Sequence, residues 1–146
     1  MAKKKKGQSK PLGVRGLARL MLVQALYQMQ MTDHNDSEIL SQFQEREEYQ
    51  KIDKEYFNQA LKIIYDHQND FISGIEVYLD RSLNQIDPVE MGIMLVGYYE
   101  LKMRHEIDIP VVIDEAVNLA KCFGAVEGHK YINAILDKAS KDLRST

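Results

Sequence analysis

The sequence predicts an all-α protein of about seven helices. Three observations carry this expectation. Apolar residues recur at helical spacing in every segment beyond residue 13, no segment sustains the alternation of a half-buried strand, and no proline interrupts the chain between Pro11 and Pro88. With 146 residues and 45% hydrophobic content, the chain has the material for one domain with an ordinary core.

Residues 1–13 are polar and lysine-rich and read as a basic, flexible arm. From Val14 to Gln30 the pattern turns helical, with Val14, Leu17, Met21 and Ala25 tracing one side and Leu22, Leu26 and Met29 widening it. Thr32–Asp36 is a break, after which Ser37 is placed to cap a helix carrying Ile39, Leu40 and Phe43. Asp53 opens a further helix that buries Phe57, Leu61, Ile64 and Tyr65 and runs toward Phe71 and Ile75.

The loop around Leu83 to Asp87 divides an N-terminal half, 14–82, from a C-terminal half, 83–146. Asp87-Pro88-Val89-Glu90 is a helix start: Asp87 can accept from the first amides, Pro88 suits the first turn, and Glu90 can bond back. The helix that follows is apolar nearly all round, which makes it the central one. Asp108-Ile109-Pro110 starts the next helix, burying Ile113, Ala116, Val117 and Ala120, and Gly124 after Phe123 is its C-terminal cap. The last helix, about 127–143, uses Ile132, Ile135, Leu136, Ala139 and Leu143.

The net charge of -3 conceals an asymmetry. Met1 to Thr32 contains seven basic residues (Lys3 to Lys6, Lys10, Arg15, Arg19) and no acidic one, so all 22 acidic residues lie beyond it. A basic end on an acidic body suits contact with a polyanion, with phosphate the first candidate. Lys3 to Lys6 alone also read as a solvated tail.

Catalytic and metal chemistry find little footing. There is no phosphate-binding glycine loop, and His34, His67, His105 and His129 lack metal-ligand spacing. Cys122 has no second cysteine, which excludes an internal disulfide and fits a reducing compartment. A Cys122–His129 dyad lacks an orienting third group, and a small core residue is the better reading. Asp114 and Glu115 are adjacent and diverge on a helix, so they cannot act as an opposed acid–base pair. No apolar run reaches the length of a membrane span and no secretory signal is evident, so the expectation is a cytoplasmic protein without cofactor or metal.

Three blocks taken together carry a resemblance: R-G-L-A-R-L-M-L-V-Q-A-L-Y-Q from Arg15, D-P-V-E-M-G-I-M-L-V-G-Y-Y-E-L from Asp87, and I-D-E-A-V-N-L-A-K-C-F-G followed by H-K-Y-I-N-A-I-L-D-K between Ile113 and Lys138. This resembles the NusB family of transcription antitermination factors from about Arg15 to Arg144, most weakly between Thr32 and Lys54. The resemblance implies two packed helical bundles and no catalysis. It implies binding of boxA-type single-stranded RNA with NusE, the tenth small-subunit ribosomal protein, beside other Nus factors on RNA polymerase during ribosomal RNA synthesis.

Residue by residue, the family's arginine-rich start falls on Arg15 and Arg19, four apart and so able to line one phosphate track. Gly16 and Leu17 stand where the family has further arginines, which leaves the arm, including Lys10, to supply the missing charge. Gln24 and Tyr27 match residues suited to reading a base edge and stacking on a base, although Tyr27 equally reads as core with its hydroxyl at the rim. Lys121, Glu127, Lys130 and Tyr131 form the second RNA-facing part, while Asn133 reads as a structural residue. Glu90 matches the segment facing NusE, and also reads as the acid of its own helix cap. Two rival readings remain from sequence: a helical protein-interaction scaffold with weak or no specific RNA binding, and a small helical enzyme using Cys122. A homodimer is also open, and it would be autoinhibited if it covered the Arg15–Arg19 face.

Overall fold

A computed structural model describes residues 8–125 and 127–144. Among them are seven α-helices and no strand: α1 Val14–Met31, α2 Asp36–Gln44, α3 Lys54–Asp66, α4 Gln68–Glu76, α5 Pro88–Met103, α6 Ile109–Cys122 and α7 Gly128–Leu143. Two short 3₁₀ turns, Glu47–Lys51 and Leu83–Gln85, lie in the connections. Lys3 to Lys6 lie outside the described residues.

The expected central helix is central. Every residue from Met91 to Leu101 is buried, and α5 packs against α1, α3, α4, α6 and α7, so both halves share one continuous core. The face that α1 buries is centred on Ala18, Leu22, Ala25 and Leu26, whereas Val14, expected to lie inward, is 63% exposed.

Helix ends follow local chemistry, with three departures from expectation. Asn35 caps α2, not Ser37: its side chain accepts from the Glu38 amide at 2.9 Å, and Glu38 accepts in return from the Asn35 amide at 3.3 Å. The reciprocal box needs an acid three residues on, which Asn35 has and Ser37 lacks. The segment from Asp53 is broken at His67, so that α4 redirects Phe71 onto Tyr98 of α5, ring centroids 5.3 Å apart. Asp87 starts α5 through its carbonyl alone, which accepts from the Met91 amide at 2.9 Å, and its side chain makes no capping bond. Glu90 does not bond back either. Its carboxylate lies against Gly128, the first residue of α7, in space that any side chain there would fill.

The expected stop at Gly124 is present. With φ of +76° it takes the left-handed conformation, and the Ala125 amide reaches the Ala120 carbonyl at 2.8 Å while the Gly124 amide reaches Lys121 at 3.1 Å. A second closure lies just past α7. The Arg144 guanidinium donates to the carbonyls of Glu100, Leu101, Arg104 and Ile107 at 2.8, 2.9, 2.9 and 2.5 Å, tying the chain's end to the end of α5.

Candidate nucleic-acid interface

The segment before α1 is held in place by one side chain of α6. The Lys10 amide donates to Asn118 Oδ1 at 2.6 Å, and Asn118 Nδ2 donates back to the Lys10 carbonyl at 3.2 Å. This part of the expected arm is therefore pinned through its backbone, and Lys10 is exposed. Leu12 folds over Gly16, where a Cβ would come within 3.0 Å of it. A side chain at position 16 would press on Leu12, which would have to give by a few tenths of an ångström. A cavity of about 510 Å³ between this segment and α6 is lined by Arg15, Arg19, Asp114 and Glu115 among others, so it presents both signs of charge.

Arg15 and Arg19 do not form one exposed track. The Arg15 side chain is 39% exposed and donates through Nε to Asp53 at 2.8 Å, with its guanidinium 4.6 Å from the Tyr56 ring centroid. Arg19 is buried, its Nε on Glu100 at 2.7 Å and its Nη1 3.5 Å from Glu115. Tyr56 donates its hydroxyl to the same Glu100 oxygen. Burial opposes the Arg19 charge, but Glu100 outweighs it and raises the pKa, while burial and then Glu100 push the Tyr56 hydroxyl well above its usual range. The reason for the departure is that α1 is enclosed by α5 and α6 as well as α3, so a turn spacing of four carries the second arginine from the rim into the core.

Asp53 has two tasks. The Arg15 hydrogen bond, and then the Tyr56 amide at 3.1 Å, hold its carboxyl below the usual range. A depressed carboxyl stabilises the fold above its unfolded pKa, and that contribution is lost as pH falls through the folded value. Asp53→Ala is therefore expected to cost about 1 kcal/mol at pH 7, and the gap to the parent protein to narrow below about pH 4. Urea titrations at pH 7 and pH 3 would show it, and an equal gap at both would contradict it.

Gln24 and Tyr27 lie on the outer side of α1, Tyr27 being 43% exposed. They line a groove of about 480 Å³ together with Val23, Phe43, Val89 and Phe123. Phe123 caps α6, so the groove joins α1 to the turn between α6 and α7. At that turn Lys121 is half-buried, and Glu127 and Lys130 are exposed. Tyr131 is half-buried. The Arg81 guanidinium covers its ring at 4.2 Å, and its hydroxyl is enclosed, a burial that raises its pKa. Glu90 senses Arg81 from the other side. Burial first, then Asp87, raise its carboxyl, and Arg81 opposes them. The charge of Arg81, which lies over Tyr131, is thus also felt by Glu90.

Phe123 and Arg46, both lining the groove, and Arg81 over Tyr131 are candidate site residues that the sequence does not single out. Phe123 carries one usable signal, its place near Lys121 and before the Gly124 turn; Arg46 stands between Glu45 and Glu47 and Arg81 follows Asp80, and neither carries one. Among the described residues no cluster of His, Cys, Asp and Glu could hold a metal ion, and no helix is long and apolar enough to cross a membrane.

The family model described as the NusB family matches residues 17–141. The chain belongs to the NusB family. Curated relatives called transcription antitermination protein NusB are similar over most of both chains. The protein of Marinobacter nauticus is 42% identical across 96% of this chain and 88% of its own length. That of Hydrogenovibrio crunogenus is 41% identical across 94% and 86%, and that of Nitrosomonas eutropha 40% across 90% and 78%. The match to this NusB-family protein takes in α1 from Leu17 and all of α5 and α6, which include the buried Arg19–Glu100 pair and most of the groove's lining.

Proposed function

We propose that this chain is a non-enzymatic, cytoplasmic transcription antitermination factor that binds boxA-type single-stranded RNA together with NusE. On this reading it serves the Nus complex on RNA polymerase in ribosomal RNA transcription. The supporting observation is the convergence of Gln24, Tyr27 and Phe123 on one groove in a chain whose NusB-named relatives are about 40% identical. Single-stranded RNA is recognised by stacking on aromatics, amide contacts to base edges and cations on phosphate. Tyr27 and Phe123 supply rings and Gln24 an amide; Lys121 and Lys130 belong to the turn between α6 and α7 that Phe123 joins to the groove, while Lys10 lines the separate cavity beside Arg15, a cation already shared with Asp53. Tyr131 acts beneath Arg81 with Glu127 at the same RNA-facing turn, and Glu90 faces the basic NusE side. Arg19 holds α1 in position and does not touch RNA.

Fluorescence anisotropy with a boxA-type oligomer and a scrambled one, each with and without NusE, tests this. Preference for boxA is expected, sharpened by NusE. With about five phosphates neutralised, log affinity should fall against log salt at a slope of roughly -3 to -4. The pairing of Arg15 with Asp53 and the burial of Arg19 favour one second reading, a protein-interaction scaffold. Equal weak binding to both oligomers, unchanged by NusE, would establish that reading instead.

A further inference from the structure

We propose that Arg46, on the turn between α2 and the first 3₁₀ segment, is a base-stacking residue of the RNA groove. The inference rests on the RNA-binding reading above and adds a residue outside every block that carries the family resemblance. Its basis is where the arginines spend their charge. Among the described residues, Arg15, Arg19, Arg81 and Arg104 each pair with a carboxylate, and Arg144 is spent on four carbonyls. Arg46 makes no such pair. It is exposed, its guanidinium lies 3.9 Å over the Phe43 ring, and its Nη1 donates to Gln24 Oε1 at 3.3 Å.

That position is central to the groove system. Arg46 and Gln24 line both the 480 Å³ groove that holds Tyr27 and a second one of about 360 Å³ that continues along α1 past Leu20 and Leu17. A guanidinium backed by a buried aromatic ring is a flat, pre-oriented platform, and an unstacked base can lie on such a plane as on an aromatic. The Gln24 amide at its edge is then oriented to meet the base's polar rim. Glu45, Glu47 and Glu48 flank Arg46 in sequence and are exposed. They weaken its pull on phosphate, so the contact falls on a base and not on the backbone.

The test uses the full chain with NusE and labelled boxA-type RNA. Arg46→Met keeps an apolar stem on Phe43 and removes the charged plane. It is expected to fold with an unchanged melting temperature and to bind boxA about tenfold more weakly. The salt slope should stay the same and the scrambled oligomer should be little affected. Arg46→Lys should not restore affinity, since a point charge has no plane. Full rescue by lysine, with a salt slope reduced by about 0.7 in Arg46→Met, would overturn stacking in favour of a phosphate contact. Unchanged boxA affinity in Arg46→Met while Tyr27→Ala weakens it would refute the role of Arg46 alone. Loss of boxA preference in the parent protein would refute the RNA reading, and this inference with it.

Discussion

Glu100→Ala is expected to destabilise the protein by about 3–5 kcal/mol, a large share of the roughly 5–15 kcal/mol by which a domain of this size is folded. Glu100 is 1% exposed, and one of its oxygens accepts from both Arg19 Nε and the Tyr56 hydroxyl. Removing the carboxylate leaves a guanidinium and a hydroxyl buried, with Glu115 3.5 Å from the guanidinium. The cost is that orphaned charge and not the worth of the pair, because taking both ions out of water offsets most of their attraction. The triple variant Arg19→Met, Tyr56→Phe, Glu100→Leu removes the three buried polar groups at once and leaves Glu115, which is partly exposed, to solvent, so it should recover most of the loss. Urea denaturation of the single and triple variants measures both values. A cost below about 1 kcal/mol for Glu100→Ala would mean that water reaches the site. The triple variant also decides the role of Arg19. If it is folded and binds boxA RNA as the parent does, Arg19 positions α1. A tenfold loss with the fold intact would instead put Arg19 on the RNA.

The same pair shows what could be read from sequence and what could not. The helices were legible because their apolar spacing persists over several turns, and Pro88, Pro110 and Gly124 mark ends by backbone chemistry that operates locally. The burial of Arg19 was not legible. Its partner lies 81 positions away on α5, at the end of an apolar run where an acid reads as the helix's return to solvent. Arg15 and Arg19 therefore looked equivalent, and only packing separates a rim arginine from a core one. The groove was half legible. Gln24 and Tyr27 stood out on one helix, but Phe123 reads as a cap-adjacent apolar residue until α6 is laid beside α1, and Arg46 is hidden by its glutamates. Glu90 shows the reverse case: a favourable capping-box spacing was set aside because Gly128 leaves room for the carboxylate on α7.

Arg144→Ala is expected to cost about 2–3 kcal/mol, although the residue lies beyond the last helix. The final carbonyls of a helix have no intrahelical donor and carry the negative end of its dipole. Here one cation serves Leu101 and Ile107 and adds a second donor to the carbonyls of Glu100 and Arg104, which also accept from the Arg104 and Ile107 amides at 2.9 and 3.0 Å. Arg144→Lys keeps the charge but cannot fan out to four acceptors, so it should recover about half of the loss. Urea denaturation gives the totals, and amide exchange in the last turn of α5 gives the location. A change below about 0.5 kcal/mol for Arg144→Ala would show that water replaces the guanidinium without penalty. The two largest effects meet at one residue: the Glu100 side chain holds α1, and its carbonyl holds the chain's end. Substitutions at residues that share a partner do not add. Glu100→Ala with Arg144→Ala should therefore depart from the sum of the singles by more than about 0.5 kcal/mol, and strict additivity would mean that α5 transmits nothing between α1 and the terminus.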